Sequence, residues 1–214
     1  MKMCANNSRN DGECNSSTNT NECHILGPFR AIDAVCITPS TQRSTGAIIP
    51  FSSGTVTVIL TSAIDAAPAT ASLIGFSSAI TNINILNSMI DLSFLPSTEA
   101  FSIPRTGNIT AISASFTAFA ATSLVENTAI RAQIYRAPAQ GTIFTPTNAL
   151  VDLTPAFTVP FSINQTVSGL TTIMPPVSVS VEDRLLMVFS VLTPPDTIPI
   201  VSISGTASAG ITVE

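Results

Sequence analysis

Over residues 47–214 apolar and polar positions alternate in runs of strand length, and no segment sustains a helical period of useful length. Residues 55–60 read TVTVIL, rich in the β-branched types that suit a pleated, half-buried surface. In residues 108–119, NITAISASFTAF, the side chains of Ile112, Ala114 and Phe116 fall on one face. In residues 128–136, TAIRAQIYR, Ile130, Ala132 and Ile134 face one way, and Arg131, Gln133 and Tyr135 the other. Residues 184–192, RLLMVFSVL, are apolar on both faces, which suits a central strand covered on both sides. That cover is expected from the partner sheet, with another subunit as the alternative source for the outer face. Residues 198–204 and 207–213 complete the series.

Thirteen of the chain's fifteen prolines punctuate this pattern, at Pro68, Pro96, Pro104, Pro138, Pro146, Pro155, Pro175, Pro176, Pro194 and Pro195 among others. Proline cannot donate to a strand ladder, so these positions are expected in loops and at edges. Short strands separated by turn signals predict an all-β fold, an antiparallel sandwich or jelly roll.

The polar pattern changes upstream. Residues 4–23, CANNSRNDGECNSSTNTNEC, hold too little apolar surface to fold alone. Residues 23–46 are mixed. Gly27 and Pro28 can open a short helix with Phe29, Ile32 and Cys36 on one side, or the segment is an extended connector. The chain therefore divides into an arm and connector, residues 1–46, and a folded body, residues 47–214. The apolar side chains Ile25, Leu26, Phe29, Ile32 and Val35 are the candidates for docking the connector on a neighbour.

Charge narrows the function. Charged residues make up 10% of the chain, against a typical value of about 25%. From Ala47 onward there are four Arg, no Lys and nine Asp or Glu, so no basic patch for nucleic acid can be assembled. No apolar run approaches the roughly 18 residues of a membrane helix, and no membrane partner is expected. A body with so few charges presents a largely neutral surface, suited to contact with copies of itself. MKMCANN, the first seven residues, has no apolar stretch of a secretory signal.

Catalytic chemistry is sparse. His24 is the one histidine and lies in the arm, away from any body nucleophile. The phosphate-loop patterns GxGxxG and GxxxxGK[ST] are absent. Glu182 and Asp183 are neighbours expected in a turn before a strand rather than a shared substrate site. Asp65, Asp91, Asp152 and Asp196 are scattered in or near loops, where a calcium site built with backbone carbonyls is the bare alternative. The reading is of a protein without enzymatic activity, cofactor or metal.

All four cysteines, Cys4, Cys14, Cys23 and Cys36, precede the body. With His24 they have the residue types of a zinc site. However, their gaps of nine, eight and twelve residues contain no tight C-x2-C knuckle. Disulfides are preferred, particularly between subunits, because a bridge inside an unfolded arm stabilises nothing folded. Cytosolic cysteines normally stay reduced, so such bonds imply oxidation after the protein leaves the cell that made it.

The stretches GAIIPFSSGT (46–55), FSIPRTGNITAISASF (101–116), EDRLLMVFS (182–190) and GTASAGITVE (205–214) resemble the C-terminal domain of BclB-type exosporium glycoproteins. The resemblance holds in order through the body. It implies a jelly roll of the C1q and tumour-necrosis-factor group, usually a homotrimer. It also implies a spore-surface protein, made in the mother cell without a secretion signal and released on lysis. The family carries a long Gly-X-Y stretch before this domain. Here there are ten glycines and no triplet repeat, so a cysteine-bearing arm stands in its place. That layout resembles subunits of endospore appendages, whose N-terminal connectors link successive subunits by disulfides. The expected partners are further copies of the chain, in a fibre or layer, and a spore-surface anchor protein. The alternative is a C1q-like head that recognises carbohydrate or a host receptor. One Tyr and no Trp leave that head little for sugar stacking.

Overall fold

The computed structural model describes residues 46–62, 68–95, 98–194 and 199–214. These hold twelve strands: β1 (Ala47–Ser52), β2 (Val58–Ser62), β3 (Pro68–Ile74), β4 (Ala79–Asn84), β5 (Ile90–Asp91), β6 (Phe101–Ser102), β7 (Gly107–Thr122), β8 (Thr128–Ala137), β9 (Ile143–Phe157), β10 (Gln165–Val179), β11 (Arg184–Leu192) and β12 (Ser202–Val213). Among the described residues no helix is long and apolar enough to cross a membrane.

The pairing is antiparallel and nested. β1 pairs with β12, β3 with β11, β7 with β10 and β8 with β9. First meets last and each inner pair lies inside the previous one, which is the wrapping that defines a jelly roll. One sheet runs β1-β12-β7-β10, with β2 continuing the β1 edge along β12. The other runs β4-β3-β11-β8-β9. The sheets join where Ser168 of β10 meets Thr154 of β9, and where Thr61 of β2 meets Thr70 of β3.

Alternation fills the space between them. Ile112, Ala114 and Phe116 of β7, and Ile130, Ala132 and Ile134 of β8, all point inward and are buried. The rings of Phe116 and Phe189 lie 6.4 Å apart across the sandwich. Each Ile or Phe among them, fully buried, contributes about 1.5–3 kcal/mol.

β11 is buried along both faces, as its double-sided pattern requires. The outer cover comes from the same chain, not from a second subunit. Leu186 and Val188 form a second cluster with Tyr135, Ile90, Leu92 and Phe144, and Ile80, Ile83, Ile85 and Leu95 pack against it. The segment carrying β4 and β5 thus folds over the sheet, and the apolar outer face of β11 is satisfied within one body.

Two expectations about strand limits change. The two C-terminal runs are one strand, β12, which absorbs an irregularity between Ser204 and Gly205 and continues along β7. Pro146, Pro155, Pro175 and Pro176 lie within strands rather than between them. The ladder is irregular at these prolines. Pro146 faces Tyr135 at a register shift of β8 against β9. Between Thr172 and Val177 the register advances five positions on β10 against two on β7, so Pro175 and Pro176 sit in a bulge that needs no donor from them. The turn before β11 is as expected: Ser180 N–H donates to Asp183 Oδ2 at 2.8 Å, and Glu182 has φ 67°.

Candidate self-assembly surface

The cysteines Cys4, Cys14, Cys23 and Cys36, the connector side chains Ile25, Leu26, Phe29, Ile32 and Val35, and His24 lie outside the described residues, as do Asp65 and Asp196. Asp91, Asp152 and Asp183 are each held by a local partner. Arg131 donates to both oxygens of Asp152, Nε at 2.6 Å and Nη2 at 2.9 Å, across the β8–β9 pair. The hydrogen bond to Asp152 holds the guanidinium above its ordinary range. Asp183 closes its turn and lies 3.8 Å from Arg136. Asp91 accepts from the amide and hydroxyl of Ser93, which hold its carboxyl below the usual range. Among the described residues no three His, Cys, Asp or Glu side chains come together in a metal-holding group.

The distinctive surface is the outer face of the β1-β12-β7-β10 sheet. The register aligns its outward side chains in rows across the strands. One row is Ser52, Ser208, Ser115 and Ser168; the next is Thr206, Thr117 and Thr166. On the other side lie Pro50, Gly210, Ser113 and Leu170, then Ile48, Thr212, Ala111 and Thr172. None of these fifteen positions carries a charge. Ser115 and Ser208 share a hydroxyl hydrogen bond of 2.9 Å, and so do Thr117 and Thr166. A shallow hollow of about 210 Å³ lies over Gly210, between Ser113, Ser115, Ser168 and Ser208.

Large apolar groups frame this hydroxyl field. Ile48 is 74% exposed, Leu170 74% and Met174, from the β10 bulge, 85%. The opposing sheet is different in kind, since the Arg131–Asp152 pair lies on it. Exposed protein surfaces normally intersperse charges of both signs, which keep copies apart. This face has none. Hydroxyls can exchange partners with a facing copy without desolvating an ion, so covering them costs little.

Single-strand alternation shows Ser and Thr on the outward positions of β7 and β12. The rows themselves arise only from register between strands far apart in sequence, so the sequence reading did not single them out.

No family model matches the chain, and no curated protein matches it. Among solved structures, Eiger TNF from S. frugiperda is similar over 79% of this chain and 94% of that one, at 10% identity and a TM-score of 0.38. The jelly roll is assigned here on the nested strand pairing of the chain itself.

Proposed function

We propose that the protein is a structural, self-assembling subunit of a bacterial spore surface, forming an appendage fibre or exosporium layer. Three bodies associate through the uncharged face of the β1-β12-β7-β10 sheet, and arms bearing Cys4, Cys14, Cys23 and Cys36 join the resulting units by intermolecular disulfides. The observation that carries self-assembly is the charge-free, hydroxyl-rich sheet face framed by exposed Ile48, Leu170 and Met174. A surface of that size without charge favours contact with a like surface over solubility as a monomer. The spore location comes from the resemblance of the body to exosporium domains, and the covalent links from the placement of every cysteine in the arm.

Electron microscopy of the full chain tests this reading. Fibres or sheets are expected without reductant, and shorter, easily dispersed assemblies with it. Ser115→Asp combined with Leu170→Asp places charge in the middle of the face and should abolish both. Dispersed single particles of the unaltered chain without reductant would contradict the proposal.

A further inference from the structure

The cover over the outer side of β11 leaves an open groove of about 490 Å³ along β4. Among the described residues β4 ends the ladder and pairs with β3 alone, along one of its edges. Leu86, Met89, Phe94 and Ile143 line the groove and are 70%, 39%, 93% and 52% exposed. Four large apolar side chains around one opening form a patch of the kind another chain covers.

The groove also carries exposed polar groups. Asn82, Asn84 and Asn87 line the groove, and their side-chain amides have no hydrogen-bond partner among the described residues. A side-chain amide both donates and accepts, as an extended peptide backbone does. Asp91 belongs to the lining too, and among the described residues no cation pairs with it.

We propose that this groove receives residues 25–35 of a neighbouring copy, laid extended beside β4. The inference rests on the self-assembly reading and assigns the connector its receiving site. Ile25, Leu26, Phe29, Ile32 and Val35 supply apolar side chains for the walls; of the segment's two charges, Arg30 and Asp33, Arg30 is opposite in sign to Asp91. The other edge of β4 and the three amides supply partners for the incoming backbone. Reach is sufficient: the eleven residues from Val35 to Gly46 span about 36–40 Å when extended, enough to leave one body and meet the next.

The test mixes two batches of the full chain, one isotope-labelled and one carrying a photoreactive benzoylphenylalanine at Phe29. After assembly and irradiation, cross-links should join labelled to unlabelled chains at residues 82–94. Cross-links confined to single chains, cross-links elsewhere, or none in assembled material would overturn the proposal. A second arm uses Leu86→Glu with Phe94→Glu, both at exposed positions. Long assemblies should fall about tenfold while the small associated unit persists by light scattering. Unchanged assembly would overturn the groove and leave the self-assembly reading standing. If the unaltered chain stays monomeric, that reading fails and the groove falls with it.

Discussion

Tyr135 shows how one residue serves two surroundings. It lies on the outward face of β8, in line with Arg131 and Gln133, yet it is buried beneath the cover that includes Ile90 and Phe144. Burial pushes its hydroxyl above the ordinary tyrosine range, with Arg131 opposing in part. The sign of the consequence follows from linkage. Below a pH of about 10 the group is neutral in both folded and unfolded chains, and its full contribution to stability is present. As pH rises through the raised folded value the unfolded chain ionises first, and that contribution is lost. Tyr135→Phe should therefore change stability little at neutral pH and reduce the loss of stability above about pH 10. Urea midpoints of the two proteins between neutral and strongly alkaline pH measure this. Identical alkaline losses would show that Tyr135 is not the responsive group.

At the scale of the element, β12 holds two glycines with opposite roles. A Cβ on Gly205 would overlap the Thr117 carbonyl oxygen and the ring of Phe116, so this glycine permits the irregular stretch of β12 to pack against β7. A Cβ on Gly210 would meet nothing closer than 3.8 Å. Gly205→Ala should lower the thermal midpoint steeply, whereas Gly210→Ala should hold it or raise it, adding up to about 0.5–1 kcal/mol of stability. Equal effects at both positions would contradict the packing described. The same strand shows what was legible in advance. Alternation of apolar residues identified β7, β8 and β11, because a strand with a buried face must repeat every second residue. It divided β12, because Gly205 interrupts the pattern where a close approach, not a turn, requires it. It also placed Pro146, Pro155, Pro175 and Pro176 outside strands, since proline defeats a regular ladder but not an irregular one. The double-sided burial of β11 was legible, yet its cover was not, because Ile80, Ile83 and Leu95 come from short irregular stretches without a strong period. The hydroxyl rows were invisible for a further reason. Ser115 and Ser208 are 93 positions apart, and only the register of β7 against β12 makes them neighbours.

For the whole molecule, the two outer faces divide the labour. On the β3-β11-β8 side the apolar face of the sheet is closed by the chain's own cover, and what that cover leaves open is the groove along β4. The β1-β12-β7-β10 side remains open and uncharged, and on the present reading it is where copies meet. Disulfides from Cys4, Cys14, Cys23 and Cys36 then act between units that have already formed, turning reversible contact into covalent linkage. This order makes a definite claim: association of the bodies does not depend on the cysteines. The direct measurement is light scattering of the full chain at micromolar concentration in excess reductant, where arm cross-links are removed. The account predicts a particle of three times the 22.2 kDa chain mass. It predicts the single-chain mass for Ser115→Asp with Leu170→Asp. A monomer of the unaltered chain under these conditions would contradict it.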